Sequence, residues 1–398
     1  MIQGIFMSNS SIVGDRVGDF SSAILQINPT GTALMLALSS GMARESAADT
    51  VFNWFEDAHQ AGRTATTSGG TTTSVGVADG SMYVPGQVLL TEETGEVLLV
   101  TAIVGNTLTV QRGIGGTTVT AIDNTMHVQS IGNAHEEAST KPNPIAQQGT
   151  LRLNYVQIFR NSWAVSGTAK AVKFRTGNKV AKNKRDCATY HAEDMEKALI
   201  FGVKHVGTLN NQPFRMTDGV ISQLRQYGGI VESANTGGVA GNYSQRDFGD
   251  FIRRVFKHNV KGMPNERIAL GGDQVVQVLN DMTMADGNYQ IHQGETKLGI
   301  SVWTIVTPFG TLKLMTHPLF NENPTWSKNM MVLHPGAIRK RVLRETFEEN
   351  YDSNGNRTNA LDADEGVITT ELGIEVGAAS IMGYLQNVNR AVASDFDA

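Results

Sequence analysis

One segment with the composition of an all-β unit interrupts a chain that otherwise mixes helical and extended patterns. Over residues 66–133 Gly, Thr, Ser and Val dominate, and hairpin signals recur, for example the two-residue turn Gly105-Asn106. Extended segments flank this region on both sides, at residues 51–55, 151–159 and 163–174. A compact module between two strands is typical of an insertion at a loop tip. We therefore predict a small all-β domain over residues 66–133, inserted into a two-stranded excursion.

Size and charge exclude several classes of protein. The chain has 398 residues, and 33 Lys and Arg against 38 Asp and Glu give a net charge of −5. This balance excludes a protein whose whole surface coats nucleic acid or an anionic membrane. The single cysteine, Cys187, excludes a disulfide framework within the chain and a multi-cysteine zinc site. The longest apolar run, residues 33–38, is far shorter than the roughly 18 residues of a membrane span, and no secretory signal is found, so we expect a soluble, unexported chain.

Helical and extended periodicities alternate after the β-rich segment. Apolar residues spaced by three or four predict a long helix with one buried stripe, formed by Ala188, Ala192, Met195, Leu199, Val203 and Val206. Gly202 weakens this helix, which we expect to end or bend there. Ser244 and Asp247 form a weakened capping box ahead of an amphipathic helix. A long final strand is predicted over residues 368–376, with Ile368, Leu372 and Val376 facing one way.

Short motifs give no support for catalysis. The glycine-rich stretch Arg112 to Thr117 invites a phosphate-loop interpretation, but no Lys-Ser/Thr ending and no helix follow it, so we favour a turn. The run from Asp352 to Asn356 begins like a calcium loop, but its glycine is misplaced, and an acidic loop is favoured. Cys187 lies near basic residues that would stabilise a thiolate, but a lone helix cysteine is favoured over an activated thiol. The sequence therefore predicts no catalytic residue, no cofactor and no metal.

Two basic clusters are the candidate functional residues. The first carries seven positive charges and no acid in sixteen residues: Lys170, Lys173, Arg175, Lys179, Lys182, Lys184 and Arg185. Because positive charge is unfavourable at a helix start, we expect compensation from outside the helix, by an acidic surface on a neighbouring copy or, less favoured, by a polyanion. The second cluster comprises Arg339, Lys340, Arg341 and Arg344, and acidic residues follow it directly. Such a two-signed strip suits pairing between subunits.

The order of segments resembles a known family. An arm is followed by the extended residues 154–159 and 165–169, a helix from Lys182 to Gly202, a mixed α/β region and a closing strand with Thr370 to Glu375. This order resembles the major capsid proteins of tailed bacteriophages, with the Hong Kong 97 fold. The stretch Val97 to Gly116 is similar to the β insertion found in one branch of these proteins.

This resemblance implies an α+β fold with defined parts. An N-terminal arm would cover residues 1–50 and an extended loop residues 51–180, interrupted by the inserted domain. The peripheral domain would comprise residues 181–205, with the long spine helix, and residues 326–380. An axial α/β domain would cover residues 206–325, and the C-terminal segment 381–398 could return to it.

The resemblance also implies a structural function. The chain would self-assemble into hexamers and pentamers of an icosahedral phage head that encloses double-stranded DNA, which would lie close to the shell without specific binding. Separate scaffolding, portal and cement proteins are further candidate partners, a membrane is not, and assembly would take place in the host bacterial cytoplasm. The alternative is a phage tail or surface-adhesion protein that uses the β domain to bind a receptor. Fibrous adhesins usually carry repeats or heptads, and the sequence has neither.

Overall fold

The chain folds into two compact units. One is formed by residues 55–152 and the other by residues 1–54 and 153–398. The computed structural model describes residues 43–57, 62–142, 144, 149–172, 178–234, 243–260, 262–286, 291–293, 303–351 and 362–389. The apolar run at residues 33–38, the predicted acidic loop 352–356, and the candidate residues Lys173 and Arg175 lie outside the described residues.

A closed six-stranded β-barrel occupies the segment in which the sequence predicts an all-β domain. Strands β1 (Ala43–Ser46) and β2 (Val51–Glu56) precede it. The barrel strands are β3 (Arg63–Ser68), β4 (Ser74–Val77), β5 (Gln87–Thr91), β6 (Val97–Val104), β7 (Thr107–Gln111) and β8 (His127–Asn133), in the order β3-β4-β7-β6-β5-β8. Alternate residues such as Leu98 and Leu108 fill the interior. Gly105 has φ 59°, as the predicted hairpin turn between β6 and β7 requires.

The extended region after the barrel differs from the prediction. Strand β9 (Thr150–Tyr155) pairs with β2, and strand β10 (Gln157–Ser166) runs without interruption. The break between strands therefore falls at Val156, and the predicted break at residues 160–162 is wrong. The second extended segment ends early, because Ser166 caps the short helix α1 (Gly167–Ala171) by accepting a hydrogen bond from Ala169 N.

The long helix α2 (Lys179–Phe201) is present, but its buried face is not the predicted stripe. Met195 and Leu199 are buried as expected, whereas Ala188 is exposed. Val203 and Val206 lie beyond the helix and are exposed, because the helix ends at Gly202. A side chain at position 202 would collide with the carbonyl oxygens of Ala198 and Thr217.

Strands and helices then alternate to the end of the chain. They are β11 (His205–Leu209), β12 (Gln212–Met216), α3 (Val220–Gln226), β13 (Ile230–Ser233), α4 (Gln245–Val255), β14 (Glu266–Gly271), α5 (Asp273–Asp286), β15 (Ile291–Gln293), β16 (Trp303–Thr307), β17 (Gly310–Thr316), α6 (Pro318–Asn321), β18 (Met330–Leu333), β19 (Ile338–Tyr351), β20 (Ala363–Val376) and β21 (Gly383–Gln386). The capping box of α4 is confirmed, since Ser244 and Asp247 each accept a hydrogen bond from the other's backbone N–H.

Two sheets organise the larger unit. A seven-stranded sheet has the order β13-β21-β18-β14-β17-β16-β15, and Phe251 and Val255 of α4 are buried in its core. A four-stranded sheet has the order β1-β19-β20-β10, in which β19 and β20 pair antiparallel. Leu199 and Ile200 of α2 share a second core with Leu372 and Ile374 of β20. Among the described residues, no helix combines the length and the apolar character needed to cross a membrane.

Candidate assembly surfaces

The arginine cluster on β19 is paired within the chain. Arg341 Nη2 lies 2.6 Å from Glu375 Oε2, and Arg339 Nη1 lies 3.1 Å from Glu45 Oε1 and 3.8 Å from Glu375 Oε1. Arg341 also forms an ion pair with Glu45. The strand register explains the pairing, since Arg339 lies opposite Glu375 in the antiparallel neighbour β20, and Glu45 lies beside Arg341 in the parallel neighbour β1.

The remaining members of this cluster continue the ladder. Arg344 pairs with the buried Glu371, its cross-strand partner, and this hydrogen bond raises the pKa of the Arg344 guanidinium. Burial and then the nearby Arg44 lower the pKa of Lys340, while Glu196 opposes this change. The acidic groups that balance the cluster therefore lie within the same chain. That these four residues also contact another subunit stays a prediction.

In the first basic cluster, which leads into α2, some residues form ion pairs within the chain and others do not. Lys170 Nζ lies 2.6 Å from Asp364, and Lys184 Nζ lies 2.8 Å from Glu348 Oε1 and over the ring of Trp163. Within the described part of the chain, Lys182 and Arg185 make no ion pair. Asn178 caps the helix, accepting from Val180 N and Ala181 N, and Lys179 also has a partner. Among the described members of this cluster, Lys182 and Arg185 are thus the two whose charge is available to a neighbour.

Strands β2 and β9 form a two-stranded ribbon with one buried and one open face. Val156 N donates to Thr50 O at 2.9 Å, which makes Phe55 and Leu151 cross-strand neighbours. Phe52 and Trp54 point to the opposite face and are buried. Phe55 and Leu151 are 74% and 53% exposed. The open face is almost wholly apolar, because Val51, Leu153 and Tyr155 alternate onto it and Asn53 is its one polar residue.

A second two-stranded sheet is the β11–β12 hairpin, which stands apart from the larger sheets. Its turn, Asn210-Asn211, has positive φ at both residues, as the right-handed twist of a tight hairpin favours. No residue of either strand is buried. Leu209 is 62% exposed, and it shares one face with the half-buried Phe214 and Met216. Sequence analysis missed this surface, because it assigned Val206 to the buried stripe of the preceding helix.

A buried polar junction holds the base of the ribbon. The Asn154 side chain donates to Asp218 O at 3.0 Å and to Ile374 O at 2.8 Å, and its Oδ1 accepts from Asp218 N at 2.8 Å. Gln223 Nε2 donates to the same two carbonyl oxygens. The junction therefore ties β9 to α3 and β20. No sequence signal identified Asn154, which lies in a segment of strand character.

The interface between α2 and the four-stranded sheet also contains buried polar side chains. His191 Nδ1 lies 2.7 Å from Asn161 Oδ1 of β10, and His191 Nε2 lies 2.8 Å from Thr370 Oγ1 of β20. Asn161 Nδ2 donates to Asp194, which turns the amide oxygen toward the imidazole and places the proton of the neutral ring on Nδ1. Burial lowers the pKa of His191, and Asp194 opposes this only partly. One turn further along the helix, Glu196 lies 3.0 Å from His317, and both side chains are fully buried.

The glycine-rich stretch of the barrel forms a turn around an internal ion pair. Glu96 Oε2 lies 2.6 Å from Arg112 Nη2, and the carboxylate also accepts from Gly113 N and Thr120 N. Burial alone would raise the pKa of Glu96, but the hydrogen bonds from Arg112 and Thr120 outweigh it, so the pKa is lowered. The Gly113 amide that a phosphate would need is therefore occupied, which supports the turn interpretation.

The residues that could bind a metal or act as a nucleophile are engaged in structural contacts or buried. Glu92, Glu93 and His127 lie close enough to share a cation, but Arg63 already forms a bidentate pair with Glu92, and His127 pairs with Glu93. Cys187 is buried, and burial raises the pKa of its thiol, the reverse of activation.

Comparison with known families identifies the chain as a phage major capsid protein, and its α+β fold includes the closed β-barrel described above. The chain belongs to the SU10 major capsid protein family, whose family model matches residues 6–389. It is 28% identical over 408 residues to the major capsid protein of Pseudomonas phage PaMx41, covering 96% of this chain and 95% of that protein. This family assignment favours the capsid over the tail or adhesion alternative.

Solved structures support the same fold. A protein of Mycobacterium phage Cain matches with a TM-score of 0.51 at 10% identity, covering 98% of this chain and 100% of that one. A protein from the capsid of cyanophage P-SCSP1u matches with a TM-score of 0.50 at 9% identity, covering 94% of this chain and 93% of that one. At such identities the likeness shows the fold alone. The predicted fold class is confirmed.

Proposed function

We propose that copies of this chain assemble into hexamers and pentamers of an icosahedral head that encloses double-stranded DNA. Family membership makes the chain a major capsid protein of a phage head. The observation that carries the finer proposal is that two separate two-stranded sheets carry apolar side chains, Phe55 and Leu151 on one and Leu209 on the other, that the described part of the chain leaves more than half exposed. An isolated two-stranded sheet is marginally stable in water, so such faces call for partner surface.

The DNA is expected to lie near the shell without sequence-specific contacts. A net charge of −5 suits a container wall, because a strongly basic lining would hold the DNA too tightly for release. Separate scaffolding, portal and cement proteins are proposed partners, with assembly in the host cytoplasm and no catalytic activity. The arm at residues 1–50, the loop at 51–180, the peripheral domain at 181–205 and 326–380 and the axial domain at 206–325 remain our proposed division of the body.

Electron microscopy tests this proposal directly. The chain would be expressed alone and with the other head genes of its phage, and particles would be examined by negative stain and light scattering. Closed shells, tubes or rings of five and six copies are the expected result. A chain that stays monomeric in every combination, including coexpression with a scaffold, would contradict the proposal.

A further inference from the structure

Asp218, between β12 and α3, is a fully buried carboxylate without a positively charged partner. Its Oδ1 accepts one long hydrogen bond, 3.3 Å from Lys204 N, and its buried Oδ2 has no hydrogen-bond partner. Across the described part of the chain Asp218 forms no ion pair, and the Lys204 ammonium donates to Tyr227 Oη at 3.1 Å instead. An ionised carboxylate at this place therefore lacks the compensating charge that burial demands.

Main-chain oxygens that also lack donors lie beside this carboxylate. A Cβ added to Gly219, the residue after Asp218, would lie 2.7 Å from Ile200 O, and a Cβ added to Gly202 would lie 2.7 Å from Thr217 O. Ile200 and Thr217 are fully buried, and neither carbonyl oxygen accepts a hydrogen bond from the described residues. Ile200 O also belongs to the last turn of α2, the negative end of the helix dipole. The buried oxygens here therefore outnumber the N–H groups that donate to them.

A small hard cation fits this set of atoms. Carboxylate and carbonyl oxygens are the ligands that alkali and alkaline-earth ions take in proteins. A single carboxylate supplies one negative charge, so a monovalent ion leaves the buried group of atoms neutral. A divalent ion would leave one uncompensated positive charge in the interior, which is costly.

We propose that Asp218 binds a monovalent alkali cation, sodium or potassium, together with the carbonyl oxygens of Ile200 and Thr217. The ion ties the C-terminal end of α2 to the base of the β11–β12 hairpin. Asn154 and Gln223 hold the backbone of Asp218 to the ribbon and to α3, so the ion stabilises the same buried junction. This cation site goes beyond the proposed function and requires no assembly.

Hydrogen exchange of the full chain tests the site where it lies. The probes are sodium chloride, potassium chloride and tetramethylammonium chloride, each over a series of concentrations at matched ionic strength. Tetramethylammonium is too large to enter a buried set of oxygens. Sodium or potassium is expected to slow exchange of the Lys204 and Gly219 amides about tenfold, once its concentration is about ten times the dissociation constant. These amides donate to Asp218 Oδ1 and to Gly202 O.

A pair of matched variants assigns the effect to Asp218. Asp218→Asn keeps the shape and one oxygen of the side chain but removes its charge, and is expected to exchange equally in all three salts. Asp250→Asn removes an exposed carboxylate of α4 that pairs with Arg253, and is expected to retain the tenfold difference. The comparison of salts on the unmodified chain remains decisive even if Asp218→Asn does not fold.

The outcomes that overturn the site are distinct. If Asp218 holds a proton, or the oxygens bind only water, the three salts give equal protection of the unmodified chain at every concentration, and the proposal is wrong. Calcium chloride that slows exchange more than sodium or potassium would contradict a monovalent site. None of these results changes the proposed function, which is decided by the particles that the chain forms.

Discussion

At the scale of single residues, stability depends most strongly on buried polar side chains and their hydrogen-bond partners. His191 is the first case, because it is buried between Asn161 and Thr370 as a neutral ring. Burial lowers its pKa in the folded state below the ordinary 6.5, so the unfolded chain binds the proton more tightly. Stability from this group is therefore complete above pH 6.5 and is lost as the pH falls toward the lowered pKa.

His191→Gln removes this titration while retaining an amide for hydrogen bonding. We expect the unfolding free energy of the variant to fall less steeply than that of the unmodified chain below pH 6.5. Urea unfolding at a series of pH values measures the two slopes. The exposed His205→Gln serves as the control, with the unmodified slope expected. Equal slopes for all three proteins would refute a role for His191.

Asn154 is the second case. Asn154→Ala removes the acceptor of Asp218 N, and it removes one of the two donors to Asp218 O and Ile374 O, which keep Gln223 Nε2. Because an unsatisfied buried group costs roughly 1–3 kcal/mol and Asp218 N loses its acceptor, we expect about 1 to 3 kcal/mol of destabilisation. Asn53→Ala, on the open face of the same ribbon, is expected to change stability by less than about 0.5 kcal/mol. Denaturant unfolding compares them, and equal effects would show that the junction is not a clamp.

At the scale of elements, the barrel depends on one internal ion pair. Glu96→Ala leaves the almost fully buried Arg112 without its carboxylate, and breaking such a pair costs about 3 to 5 kcal/mol. We expect faster amide hydrogen exchange throughout residues 63–133 of the full chain. Glu92→Ala breaks the more exposed pair with Arg63 and is expected to leave exchange nearly unchanged. Barrel exchange that is the same in both variants would contradict the prediction.

Turns and helix ends could be predicted from the sequence where neighbouring residues alone satisfy the backbone hydrogen bonds. The Gly105-Asn106 turn and the Ser244 cap are examples, since each satisfies its own backbone locally. The prediction failed at residues 160–162, where a polar triplet indicated a loop. In the structure Asn161 stays in the strand, because its side chain is needed by His191 and Asp194 of α2. Tertiary hydrogen bonds of this kind have no signature in the periodicity.

The buried face of the long helix α2 was predicted wrongly for the same reason, because tertiary contacts of polar side chains decide which face packs. Its buried face includes Cys187, His191, Glu193 and Glu196, so the apolar spacing did not mark the side that packs. The candidate basic residues were recognised by charge, but their acidic partners are distant in sequence, such as Glu375 for Arg341. Only the register of β19 with β20 and β1 brings those partners together.

At the scale of the whole molecule, the unpaired charges at the start of α2 make a prediction about assembly. Lys182→Glu with Arg185→Glu is expected to leave the subunit folded but to lower particle yield, because we propose that an acidic neighbour meets these two residues. Lys184 is kept, since it pairs with Glu348 inside the chain. Circular dichroism checks the fold, and sedimentation measures the particles.

A matched double charge reversal makes this test specific. Arg246→Glu with Lys257→Glu alters exposed positions near α4 by the same amount. This control is expected to assemble normally. Equal yields from both double variants would show that Lys182 and Arg185 form a solvated face.

The ribbon has one more consequence, for how such a protein can diverge. Because β2 and β9 pair, the chain enters and leaves the barrel segment through adjacent strands, and the polypeptide on either side keeps its register whatever lies between. The barrel segment can therefore be replaced as a unit. Its sequence can drift, or be exchanged for a foreign domain whose ends lie equally close together, without resetting the long strands β19 and β20 that organise the body.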